Sequence, residues 1–144
     1  MRFYGKILIA DDDPKLAKIL QLGLKRQGFD VIVAHDGQEA VALSRDPEVA
    51  LIIMDGLMPQ INGFEASKRI KEYINPNAKI ILLTAVYTQA KFILEKDKWG
   101  IDSLMKKPFT LEILMKEISR LFPDLDQPAE ETSPSPELHK VNIS

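Results

Sequence analysis

The sequence contains no cysteine, which excludes disulfides and thiolate metal sites. No apolar run approaches the roughly 20 residues needed to cross a bilayer. The first residues lack the long apolar core of a signal peptide, so the expectation is a cytoplasmic chain with no membrane segment. A charge surplus is missing too: 19 basic and 21 acidic residues leave a net −2, with none of the basic excess that direct nucleic acid binding requires. No glycine-rich phosphate loop follows the first strand-like segment, which weakens a nucleotide-binding reading. His35 and His139 stand alone, without the neighbours of a metal site or of a phosphotransfer histidine. What the chain does have is 45% hydrophobic residues in a length of 144, enough for one domain with a substantial core.

The organising stretch is 51–55, Leu-Ile-Ile-Met-Asp, an apolar run without polar alternation that ends on a carboxylate and breaks at Gly56. Such a run predicts a central parallel strand covered on both faces. Around it the chain alternates strand and helix patterns five times. Lys6–Ala10 predicts the first strand; Asp13 then caps a helix with Pro14 at its first position, followed by Leu16, Ile19, Leu20, Leu24 and Gln27 at helical spacing and a stop at Gly28. Asp30–Ala34 predicts a strand, and 37–45 a helix ended by Pro47. A turn at 59–63 leads into a helix over 64–74, with Phe64, Ser67, Ile70 and Ile74 on one face and Asn75-Pro76-Asn77 closing it. Residues 79–83 predict a fourth strand, about 87–98 a helix of mixed polarity capped by Gly100, and 103–105 a short fifth strand. Beyond Lys107-Pro108-Phe109 a last helix has Leu111, Leu114, Ile118 and Leu121 on its core face.

Repeated βαβ units are right-handed and place helices on both faces of a parallel sheet. The expected architecture is therefore an α/β, doubly wound, five-stranded parallel sheet of order 2-1-3-4-5 with five helices, a flavodoxin-like fold whose switch point lies between strands one and three. From Pro123 the composition shifts to Pro, Ser, Thr and acidic residues, so the expected division is a folded domain over 1–122 and a tail or linker over 123–144. Leu138, Val141 and Ile143 offer that tail a small apolar edge for a partner.

Parallel pairing would gather Asp11, Asp12 and Asp55 with Thr84 and Lys107 at the carboxyl edge of the sheet, where open α/β sheets keep their chemistry. Two unit charges about 4 Å apart repel by about 4 kcal/mol at a surface-like dielectric, so three carboxylates require a cation or a proton. Oxygen-only ligands select a hard ion, and Mg²⁺ (or Mn²⁺ in its place) fits best, with the Leu57 carbonyl able to complete the set. Asp13 is explained by its capping position. Asp55 is not, because Met58-Pro59 separates it from the next helix.

The segments ILIADDDP, LIIMDGLMPQINGFE, IILLTA and KKPF, in this order and at these spacings, resemble the receiver domain of two-component response regulators, either of the single-domain chemotaxis-regulator type or cut from a longer regulator or hybrid kinase with the tail as the start of a linker. The resemblance covers about residues 6–122. It implies that Asp55 accepts a phosphoryl group from a sensor histidine kinase or phosphotransfer protein, and that Asp11 and Asp12 hold Mg²⁺ with Asp55 and the Leu57 carbonyl. It also implies that Thr84 moves toward the phosphoryl group and that Lys107, ahead of a cis peptide at Pro108, pairs with its oxygens. The chain would then be a signalling protein that catalyses only its own phosphorylation and dephosphorylation, a monomer or a phosphorylation-dependent dimer. It would switch a downstream protein partner through the helix after strand four, strand five and the last helix. Lys91, Lys96, Lys98, Lys106 and Lys116 surround that face.

Two departures from the family pattern matter. Leu104 occupies the switch position where the family usually has Tyr or Phe. Leu57 and Val86 flank the approach of water to Asp55 and neither can orient it, which predicts slow loss of phosphate. Two other functions compete: a Mg²⁺-dependent phosphohydrolase of the haloacid dehalogenase type, suggested by Asp11-x-Asp13, and a receiver-like scaffold that is never phosphorylated. The first expects Thr or Val where Lys15 stands and leaves Asp55 unexplained. The second leaves the full set of polar strand ends without a purpose.

Overall fold

A computed structural model describes residues 5–58, 61–84 and 96–123. Five strands, β1 (Lys6–Ala10), β2 (Asp30–Ala34), β3 (Val49–Asp55), β4 (Lys79–Thr84) and β5 (Ser103–Lys106), form one sheet of order β2-β1-β3-β4-β5. All four pairings are parallel. The apolar character of the central strands follows from burial on both faces. Ile7, Ile9, Leu51, Ile53, Ile81 and Leu83 lie in one core cluster, and Leu8, Ala10, Ile52, Met54, Ile80 and Leu82 in another. Successive residues of each strand thus enter opposite cores, as a period of two demands.

Helix α1 (Pro14–Arg26) starts where expected: Asp13 accepts hydrogen bonds from the amides of Lys15 (3.0 Å) and Leu16 (3.4 Å), with Pro14 in the first turn. Its buried stripe is Ala17, Leu20 and Leu24, whereas Ile19 is 65% exposed. Helix α2 (Gly37–Leu43) is capped by Asp36, and Glu39 returns a carboxylate to the amide of His35 at 2.8 Å. It ends two residues before the expected 45.

The helix expected over 64–74 is in two parts: α3 (Gly63–Arg69), capped by Asn62, and a wide π turn over Ile70–Ile74. The cause lies just beyond, where the buried Asn75 side chain donates to the carbonyls of Ser44 (3.2 Å), Asp46 (3.4 Å) and Val49 (3.0 Å). Satisfying those groups outweighs regular α-helical geometry at the last turn. Of the helix expected at about 87–98, only Lys96–Trp99 is described, as a 3₁₀ turn. Val86, Lys91 and the tail from 124 lie outside the described residues. Trp99 packs partly buried against the second cluster, its ring edge-on to Phe64 at 5.8 Å. Helix α4 (Leu111–Leu121), capped by Thr110, buries Leu114 and Ile118, with Leu111 and Leu121 packed against the first cluster as expected. Four α-helices are therefore described against the five expected.

Candidate phosphoryl-transfer site

Strand register assembles the site. Ala10 lies opposite Met54, so the next residues, Asp11 and Asp55, leave adjacent strands side by side at the carboxyl edge. Asp11 is fully buried, Asp55 is 6% exposed and Asp12 faces solvent. One carboxylate oxygen from each lies within 4.8 Å of the other two, the spacing of a hard-cation site. Two backbone amides hold the buried pair in place: Asp13 N–H donates to Asp11 Oδ1 (2.8 Å) and Leu57 N–H to Asp55 Oδ1 (3.2 Å).

The opposing charge comes from Lys107, the residue that follows β5. Thr84 ends β4 opposite Lys106, and the Lys107 amide donates to the Thr84 carbonyl at 2.7 Å. Lys107 then precedes a cis peptide to Pro108, and its Nζ lies 3.4 Å from Asp11 Oδ2 and 3.6 Å from Asp55 Oδ2. One ammonium facing two carboxylates leaves the pocket short of positive charge. Burial accordingly pushes the Asp55 carboxyl up to about 6, with repulsion from Asp11 adding to the shift and the Leu57 amide and Lys107 opposing it. A divalent cation would reverse that balance.

Asp11, Asp12, Asp55 and Lys107 are thus brought together, and Thr84 stands at the same edge, half-buried. Asp13 gives its carboxylate to the α1 cap, which removes it from the D-x-D arrangement of a haloacid dehalogenase. Leu57 presents its amide to Asp55, and its side chain is 66% exposed. Leu104 lies opposite Leu82 and packs against the second core cluster. Sequence reasoning missed Gly63, where a Cβ would collide with the Asp55 carbonyl oxygen and come within 2.9 Å of Gly56 Cα. Only a residue without a side chain lets α3 begin directly behind Asp55. The signal was present as a glycine immediately after the capping Asn62.

Comparison with known proteins agrees with this geometry. The family model for the response regulator receiver domain matches residues 7–119. The chain is 31% identical over 138 residues to the transcriptional regulatory protein TrcR of Mycobacterium tuberculosis, covering 88% of this chain and 49% of that protein. It is 32% identical over 145 residues to the transcriptional regulatory protein CpxR of Klebsiella pneumoniae, covering 97% and 61%. The chain thus spans about half to three-fifths of the length of these curated relatives. The receiver domain of the Francisella response regulator 1452 superposes with a TM-score of 0.74 at 30% identity, over 84% of this chain and 98% of that one. With the sheet order, the acidic triad and the facing lysine all in place, the chain belongs to the response regulator receiver domain family.

Proposed function

We propose that Asp55 is the phosphoacceptor of a two-component phosphorelay, taking its phosphoryl group from a histidine kinase or a phosphotransfer protein. The observation that carries this reading is Lys107 Nζ held 3.4 and 3.6 Å from Asp11 and Asp55 beside a cluster of three carboxylates. A carboxylate oxygen of Asp55 attacks phosphorus, the P–N bond to the donor imidazole breaks, and the imidazole leaves and takes up a proton. Asp55 needs no general base, since its nucleophilic form is the ionised one. Positioning and charge neutralisation are what such a transfer needs, and Lys107 supplies part of both.

Asp11, Asp12 and Asp55, with the Leu57 carbonyl, would hold Mg²⁺, or Mn²⁺ in its place. When bound, the ion offsets charge on the transferring oxygens and lowers the repulsion among the carboxylates. After transfer, the Thr84 hydroxyl, on the strand next to that of Asp55, would bond a phosphoryl oxygen and draw the end of β4 with it. Leu104, in the pairing strand, would shift its packing without the ring and hydroxyl of the family's usual switch residue.

The output is a protein contact, made as a monomer or a phosphorylation-dependent dimer on the face that includes β5 and α4. Turnover is limited to the protein's own phosphorylation and dephosphorylation, in the cytoplasm where its donor would act. Incubation with acetyl phosphate and Mg²⁺, followed by intact mass, tests the assignment. One added phosphoryl group, absent in Asp55→Asn, supports it. No adduct would leave a scaffold, and continuous release of phosphate without an adduct would point to a phosphatase.

A further inference from the structure

Helix α1 carries an unbalanced face. Lys15, Lys18, Ile19, Leu22, Lys25 and Arg26 are all exposed, Ile19 at 65% and Leu22 at 48%. Their spacing of three and four residues puts them on one side of the helix. The helix contains four cations and no acid, and none of the four makes an ion pair among the described residues. Apolar side chains flanked by cations, opposite a buried stripe of Ala17, Leu20 and Leu24, make a surface suited to an acidic segment with a few apolar side chains.

The chain contains such a segment. Residues 124–144 carry five carboxylates, Asp124, Asp126, Glu130, Glu131 and Glu137, against one lysine, with Leu125, Leu138, Val141 and Ile143 as the apolar complement. We propose that this acidic C-terminal segment docks on the basic and apolar face of α1. Its point of departure favours that face: Phe122 packs against the same core cluster as Ala17, Leu20 and Leu24, so the segment leaves from the layer of helices to which α1 belongs. Reach is no obstacle, since 21 residues can extend up to about 70 Å while α1 is about 20 Å long. Tethering raises the local concentration toward the millimolar range, so individually weak exposed ion pairs suffice to populate the contact.

The absence of native cysteine makes a single spin label clean. In the full chain with Ser135→Cys labelled, the expected result is at least a twofold loss of amide signal intensity for Lys18 to Leu22, relative to the reduced label, while exposed α3 amides keep theirs. Raising NaCl to about 0.5 M should abolish the loss, because exposed charges are then screened within a few ångströms, and so should the double substitution Lys18→Glu, Arg26→Glu. Unchanged α1 signals, broadening centred on another face, or broadening in mixtures of labelled and isotope-enriched molecules that marks a second copy as the occupant would each overturn the proposal.

Discussion

Replacing Asp55 by Asn should stabilise the metal-free protein at neutral pH and leave it unchanged in acid. The Asp55 carboxyl is raised from 3.8 to about 6, burial being the main cause and Asp11 the second upward one. A raised carboxyl means that the folded state binds its proton more tightly than the unfolded chain. The stabilisation this provides is complete below about pH 4 and is lost as pH rises through about 6. Two units at about 1.4 kcal/mol each make the difference about 3 kcal/mol between the acid and neutral limits. Asn cannot ionise, so in EDTA the variant should gain on the native protein progressively between pH 4 and 7, read as the separation of urea midpoints at constant slope. Saturating Mg²⁺ should then close the gap from the other side, because the ion stabilises the native carboxylate set far more than the set lacking Asp55. Parallel pH profiles for the two proteins in EDTA would refute the reasoning, showing that the carboxylate at 55 is not under electrostatic stress.

Other perturbations probe the remaining parts. Lys107→Met removes the cation 3.6 Å from Asp55 and should slow phosphorylation by acetyl phosphate by about 10²-fold, measured as the time course of the intact mass. Asn75→Ala leaves the carbonyls of Ser44, Asp46 and Val49 without their shared donor and should cost about 2–3 kcal/mol in urea denaturation, with the phosphorylation rate unchanged. Because the Leu57 side chain offers water no hydrogen bond, phosphate on Asp55 should persist for minutes or longer in Mg²⁺, and Leu57→Asn should shorten that lifetime. Decay of the native adduct within seconds would contradict this account.

Much of the sheet was legible because its signal is local. Runs such as Ile-Ile-Leu-Leu at 80–83 admit few structures other than a strand buried on both faces, and Asp13-Pro14 marks a helix start by chemistry internal to two residues. The acidic pocket was legible for a related reason: each of its members sits at the end of a readable strand, so topology alone juxtaposes them. What the sequence hid depends on distant partners. The π turn at 70–74 arises from carbonyls some 26–31 residues away that Asn75 must satisfy. The exposure of Ile19 depends on which side of α1 meets the sheet, and Ala17 rather than the larger side chain is placed there. Gly63 is required by the Asp55 carbonyl behind it, a contact that no periodicity announces.

The π turn has an evolutionary and an engineering reading. In a regular helix Asn75 would stand about 140° around the axis from Ile70, on the wrong side to reach the loop it braces. The Asn75 amide instead bonds the Ile70 carbonyl at 2.7 Å, so the wider coil brings both residues to the inner side. Deleting one residue between them would let an ordinary helix achieve the same alignment with a one-residue shorter spacer. The segment behaves as if it holds a tolerated insertion, and shortening it should be milder than lengthening it by the same amount.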